Sequence, residues 1–182
     1  TKQPVAKRND GLNWKRPKLD YKEIADVFNK AETFYSKKDY ENAKKTYINV
    51  LTLHPLHPGA NNKLGLIYLK EGRASKAEVI FRKLVEIKPH EAVYYSNLGL
   101  ALYSLGHKLE AKQAYTRAIK LDPKKDSRFL SLGQVCVDLK HWKPAINAFS
   151  KALELNPKND KLYFYIADLL IKVQAYNEAM AF

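Results

Sequence analysis

Four prolines stand 34 residues apart, at Pro55, Pro89, Pro123 and Pro157. Ala43, Ala77, Ala111, Ala145 and Ala179 keep the same step, and so do Gly65, Gly99 and Gly133. A chain that repeats at this interval folds as stacked supersecondary units, because each unit buries its apolar face only against a neighbour. Three ladders in one phase rule out coincidence.

Within a unit the apolar residues follow a helical period twice. Leu64, Gly65 and Tyr68 share one helix face, echoed by Leu98, Gly99 and Leu102 and by Leu132, Gly133 and Cys136. A second stripe carries Ala77, Phe81 and Leu84, then Ala111, Tyr115 and Ala118, then Ala145, Phe149 and Ala152. Short polar turns such as Glu71-Gly72-Arg73 and Leu105-Gly106-His107 join the two helices. The proline then ends the unit, since it cannot continue a helix interior but is tolerated at a helix start. Counting residue 58 as position one, position 8 is Ala31, Gly65, Gly99, Gly133 and Ala167, and position 20 is always alanine. A mid-helix glycine costs about 1 kcal/mol relative to alanine, so its recurrence signals a packing need. The expectation is close backbone approach within each hairpin, with Tyr68, Phe81, Tyr115 and Phe149 filling the space between neighbouring hairpins.

The pattern Leu-Gly-x-x-Tyr, then Ala, then Phe or Tyr, then Pro, on a 34-residue step resembles the tetratricopeptide repeat family. The resemblance covers residues 24–57, 58–91, 92–125 and 126–159 as full repeats and 160–182 as a partial fifth. Departures are Lys30 in place of leucine, Ala31 in place of glycine, and Lys140 at a turn position where glycine is common. It implies an all-α fold, a right-handed superhelical solenoid of antiparallel helix pairs spanning residues 20–182.

Asp20 followed by Glu23 resembles a capping box and places the first helix start near residue 20. Residues 1–19 carry Lys2, Lys7, Arg8, Lys15, Arg16 and Lys18 against Asp10, interrupted by Pro4, Gly11 and Pro17. They read as a flexible basic tail; docking through Leu12 and Trp14, or a place beside a membrane anchor, are the other readings. The chain starts at Thr1 and stops at Phe182 partway through a second helix, which raises the expectation of further segments and of self-association through an uncapped last hairpin.

Composition is that of an ordinary globular chain, 46% hydrophobic and 28% charged. The most apolar stretch, Leu162 to Val173, contains Asp168 and Lys172 and is too short to cross a bilayer. A signal-peptide pattern is lacking, and the single Cys136 excludes an internal disulfide. A cytoplasmic location is expected. The alternative is a membrane-anchored assembly factor with a cytoplasmic or periplasmic repeat domain, tethered by a segment upstream.

Function should lie on the face left over after packing. With positions 4, 7, 8 and 11 of each first helix buried, positions 2, 5, 6, 9, 12 and 13 form the opposite stripe, which in the tetratricopeptide family lines a concave groove for extended or helical peptides. Here it holds Phe28, Asn29, Glu32 and Tyr35, then Asn62, Lys63, Leu66 and Lys70. It continues through Val93, Ser96, Asn97, Leu100 and Tyr103, then Leu130, Ser131, Gln134 and Asp138, then Lys161, Phe164, Tyr165, Asp168 and Lys172. Aromatic anchors beside amides suit a peptide site, although some rings could instead pack on the adjacent hairpin. The carboxylate clamp of chaperone-binding relatives does not transfer: its places hold Asn62, Leu66, Asn97, Ser127 and Ser131, of which Asn97 alone fits. The asparagine ladder of glycosyltransferase relatives is reduced to Asn29 and Asn97.

A net charge of +13 favours acidic partners, nucleic acid or anionic membrane. In the stripe, however, Lys63, Lys70, Lys161 and Lys172 face Glu32, Asp138 and Asp168, so the face is nearly balanced. Lys37, Lys38, Lys44, Lys45, Lys108, Lys112, Lys124 and Lys125 fall on second helices and turns, and arginine is scarce. This disfavours nucleic acid, whose specific contacts lean on arginine. His54 and His57 flank prolines without a cysteine or carboxylate beside them, His107 and His141 read as exposed turn residues, and Cys136 falls on a buried stripe. The expectation is a scaffold without enzymatic activity, cofactor or metal, whose partner is another protein or a peptide.

Overall fold

The computed structural model describes residues 20–174, which form nine helices and no strand. The helices are α1 (Tyr21–Ser36), α2 (Tyr40–Leu53), α3 (Pro58–Lys70), α4 (Ala74–Ile87), α5 (Ala92–Ser104), α6 (Lys108–Leu121), α7 (Asp126–Asp138), α8 (Trp142–Leu155) and α9 (Asp160–Lys172). The basic tail with Leu12 and Trp14, and the end of the fifth repeat with Ala179 and its expected self-association surface, lie outside the described residues.

Helix starts follow local chemistry. Asp20 caps α1, accepting from the Lys22 and Glu23 amides at 3.0 and 3.1 Å, and Asp39 caps α2 through the Asn42 amide at 3.2 Å. Pro58 opens α3 at a position whose missing N–H costs nothing. The first helices α1, α3, α5 and α7 end in one motif: in α3 the Arg73 amide reaches back to the Tyr68 carbonyl at 2.8 Å and the Gly72 amide to Leu69 at 3.0 Å. The same pair of bonds recurs at Asp39/Lys38, His107/Gly106 and His141/Lys140. That motif demands a left-handed residue, and φ is +73° at Gly72 and +81° at Gly106. Lys38, Lys140 and Gln174 adopt it too, at 61°, 59° and 62°, despite their side chains.

The ladder glycines correct one expectation. They do not simply bring backbones together: a Cβ on Gly65 would meet the Phe81 ring at 2.6 Å, one on Gly99 the Tyr115 ring at 3.0 Å, and one on Gly133 would collide with Phe149. Each ring therefore lies inside its own hairpin, in the recess its glycine leaves, rather than only between hairpins. Tyr68 is half-buried with Lys76 over its ring at 5.5 Å. The position-20 alanines Ala43, Ala77, Ala111 and Ala145 are fully buried.

The buried arc of the first helices is also wider than expected. Position 10 is buried from the second repeat on, with Ile67 and Ala101 at 0% exposure and Val135 and Leu169 at 1%, while Thr33 in the first is exposed. Position 4, at Val27, Asn61, Tyr95 and Phe129, is only half-buried, and Lys30 at position 7 is exposed. The cause is that α3, α5, α7 and α9 pack against both their own and the preceding second helix where these are described, enclosing two sides. Three apolar clusters run through the array, around Tyr47, around Phe81 with Tyr115, and around Phe149 with Ile166. Burying each such ring contributes about 1.5–3 kcal/mol. The first helix α5 touches both α3 and α7 directly, and no comparable contact joins the described second helices, so the first helices form the inner side of the curve. No helix among the described residues is long and apolar enough to cross a membrane.

Candidate functional site

The inner face is the stripe of positions 2, 5, 6, 9, 12 and 13, and its N-terminal half is largely knitted to itself. Phe28 packs over Gly59, where an added Cβ would meet its ring at 2.9 Å, and lies 4.7 Å from the His57 ring and 5.9 Å from Tyr47. Glu32 accepts from the buried Tyr47 hydroxyl and pairs with Lys63 at 3.0 Å. Lys63 in turn sits 4.2 Å above the Tyr35 ring, which meets Tyr40 edge-on at 5.5 Å. Burial, then Glu32, pushes the Tyr47 hydroxyl well above the usual phenol range. Lys70 lies 5.0 Å over the Tyr40 ring, at the turn. Asn29 is exposed and Leu66 packs on the central cluster.

Two cross-repeat bonds mark the centre. Asn97 Nδ2 donates to Asn62 Oδ1 at 2.7 Å, and the Tyr103 hydroxyl donates to Asp138 at 2.7 Å, with Gln134 Nε2 on the other carboxylate oxygen at 3.1 Å. The bond to Asp138, then burial, raises the Tyr103 hydroxyl above its ordinary value. The expected charge balance is thus not pairwise. Among the described residues only Glu32–Lys63 and Asp168–Lys172, at 2.6 Å, are ion pairs within the stripe, and Asp138 is satisfied by neutral donors.

The C-terminal half opens into two clefts. The first, about 420 Å³, lies between α5 and α7 and is walled by Val93, Ser96, Asn97, Leu100, Ser131, by Ser127 at position 2 of the stripe and, from outside the stripe, by Tyr115, Lys125 and Arg128. The second, about 430 Å³, lies between α7 and α9, with Leu130, Ser131, Gln134, Lys161 and Tyr165 joined by Phe149, Asn159 and Leu162. Ser131 belongs to both. Leu100 is 42% exposed, Tyr165 38% and Phe164 79%. Tyr165 still meets Phe149 edge-on at 5.2 Å.

Arg128 is the functional candidate that periodicity overlooks, because it occupies position 3, outside the stripe. Its Nε donates to Ser96 Oγ at 3.0 Å, and its Nη1 to the Asp122 carbonyl and carboxylate at 2.6 Å each. The guanidinium holds the Asp122 carboxyl below its ordinary value. Lys125 could have been suspected only from its place at the N-cap of α7, and Tyr115 from its ladder, where it reads as packing. Burial pushes the Tyr115 hydroxyl up to about 12, with the Ser131 hydroxyl acting in the opposite sense.

Elsewhere the chemistry is structural. His57 Nδ1 accepts from the Ala60 amide at 3.1 Å and caps α3; burial, then His54, keeps its pKa below the ordinary value. His107 and His141 are exposed, and His141 Nδ1 lies 3.2 Å from Lys112 Nζ. Cys136 is buried and its thiol is pushed up by desolvation, the reverse of an activated nucleophile. No group of three or more His, Cys, Asp or Glu among the described residues could hold a metal ion.

Comparison with known proteins agrees with this architecture. The profile described as tetratricopeptide repeat matches residues 28–92, and that described as anaphase-promoting complex, cyclosome, subunit 3 matches residues 70–152. None of the curated proteins matches the sequence. Among solved structures the chain is similar to MamA, at 26% identity over 83% of this chain and 88% of that one, with a TM-score of 0.76. It is similar to PilF of Pseudomonas aeruginosa at 25% identity, over 88% and 73%, with a TM-score of 0.75. YrrB, described as a tetratricopeptide protein with an unusual peptide-binding site, shares the fold at 18% identity, over 88% and 86%, with a TM-score of 0.74.

Proposed function

Because the chain belongs to the tetratricopeptide repeat family, whose members serve protein–protein interaction, we propose that it is a non-catalytic scaffold holding a segment of another protein against the inner face of α5, α7 and α9. The observation that carries this reading is the pair of adjoining clefts on that face. Their walls combine exposed apolar side chains, Val93, Leu100 and Tyr165, with amides and hydroxyls that can bond a peptide backbone. Asn97 is an example: it lines the first cleft, and with its Nδ2 engaged by Asn62 its Oδ1 remains an acceptor.

The absence of catalysis in this reading rests on what the polar groups already do. Tyr103, Asp138 and Gln134 satisfy one another, Glu32 is occupied by Tyr47 and Lys63, and the Cys136 thiol is inaccessible. A photo-crosslinking amino acid placed at Leu100 in the producing cell tests the proposal. It should capture a partner that the same probe at the exposed outer-face Asn147 does not. Capture from Asn147 and none from Leu100 overturns it.

A further inference from the structure

The two clefts share an electrostatic feature that the stripe as a whole hides. Lys125, Arg128 and Lys161 line them, and among the described residues neither wall contains an aspartate or glutamate. These cations occupy the N-terminal ends of α7 and α9: Lys125 is the N-cap of α7, Arg128 is in its first turn, and Lys161 is the second residue of α9. Asp126 and Asp160, the first residues of α7 and α9, share these ends, whereas the stripe acids of the same helices lie at the other end. Arg128 and Asp138 are ten residues apart on α7, and Lys161 and Asp168 seven apart on α9. At 1.5 Å per residue the separations are about 15 Å and 10 Å. Both exceed the Debye length of about 8 Å at physiological salt, and Asp138 and Asp168 are already bonded to Tyr103, Gln134 and Lys172. Across its width the face therefore runs from an edge where cations line the clefts to one whose acids are already bonded.

The cations are not equally engaged. Arg128 is held by Asp122 and Ser96 through Nη1 and Nε, which fixes the plane of its guanidinium and leaves Nη2 unpartnered. Asp126 is committed to the Ser127 amide at 2.8 Å and to Asn156 Nδ2 at 3.0 Å. Lys125 and Lys161 are exposed and form no ion pair among the described residues, Lys125 acting on the Asp122 carboxyl only through its field. Hydroxyls at Ser127 and Ser131 stand beside them.

We propose that the clefts take an acidic–apolar peptide segment, running across α5, α7 and α9 with its carboxylates along the Lys125, Arg128 and Lys161 edge and its apolar side chains against Leu100, Leu130 and Tyr165. This rests on the inner face being the binding surface and adds the chemistry of the guest. An ammonium or guanidinium on the guest would meet like charge at that edge. A purely apolar guest would leave Lys125 and Lys161 unused.

The test is selection of a random displayed peptide library on the purified chain at physiological salt. Selected peptides should be enriched in aspartate and glutamate interleaved with leucine or phenylalanine. A Lys125→Glu/Lys161→Glu variant, its fold checked by circular dichroism, should lose at least about tenfold in affinity for them, while Lys120→Glu on the outer face of α6 leaves binding unchanged. Peptides without acidic bias whose binding is lost in Leu100→Asp keep the inner-face reading and overturn this one. Acidic peptides that respond to Lys120→Glu and not to the double variant place the site elsewhere and overturn it. Recovery of no peptide overturns both readings. So does a labelled single-stranded RNA that binds the wild type and not the double variant, since it assigns these cations to nucleic acid.

Discussion

Phe28 and Phe164 occupy the same position of the first and fifth repeats, yet one is wedged against its neighbours and the other is 79% exposed. Phe28 finds its cover in the next first helix, where Gly59 leaves a recess and His57 supplies a ring face. For Phe164, on the last described first helix, no such cover is present among the described residues. The same contrast extends to the polar groups. Around α1 and α3 they close on one another, Glu32 with Lys63 and Tyr47, whereas Lys125 and Lys161 line the clefts around α7 and α9 with no ion pair among the described residues. Position in a repeat sets the face a residue is on. The neighbouring repeat sets whether that residue is spent on stability or left for a guest.

The contrast breaks most directly at the two phenylalanines. Phe28→Ala should lower stability by about 3 kcal/mol, whereas Phe164→Ala should stay within about 0.5 kcal/mol; equal shifts in urea midpoint would erase the distinction between the halves. Next come the two inner-face acids. Glu32→Ala leaves the buried Tyr47 hydroxyl without an acceptor and should cost about 2 kcal/mol, while Asp168→Ala removes an exposed pair with Lys172 worth less than about 1 kcal/mol. A larger loss for Asp168→Ala in thermal unfolding would reverse the assignment. The smallest effect sharpens the comparison by falling outside it. Lys38→Gly and Lys140→Gly, at φ 61° and 59°, should each stabilise by about 0.5–1 kcal/mol, since both relieve the same left-handed strain far from the groove. A gain at one turn only would mean that the two halves differ beyond their inner faces.

Much of this architecture is legible in the order of residues alone. The turn residues, the helix pairs and the alanine ladder follow from one period, and Asp20 marks the start of α1. The glycines point to a packing need but not to its occupant, because a missing Cβ is visible in a sequence while the ring that fills the gap, 16 residues further on, is set by how two helices cross. The inner face is legible as a stripe. Its free members are not. Tyr103 and Asp138, or Asn62 and Asn97, sit 35 residues apart, and nothing in either helix alone says that they bond. Arg128 escapes a periodic reading because it lies off the stripe and is turned towards the cleft by Asp122 and Ser96, on two other elements.

The amino-acid order dictates what is local and repeated: helix period, left-handed turn, proline stop, and small residues at fixed intervals, all written within a single unit of 34 residues. What the packed array adds is selection among residues that the period treats as equivalent. Hydrogen-bond partners and ring neighbours come from adjacent repeats, and a buried polar group is held or left open according to which side chain stands opposite it. That is why Phe28 and Phe164, alike in sequence terms, part company once the helices stack.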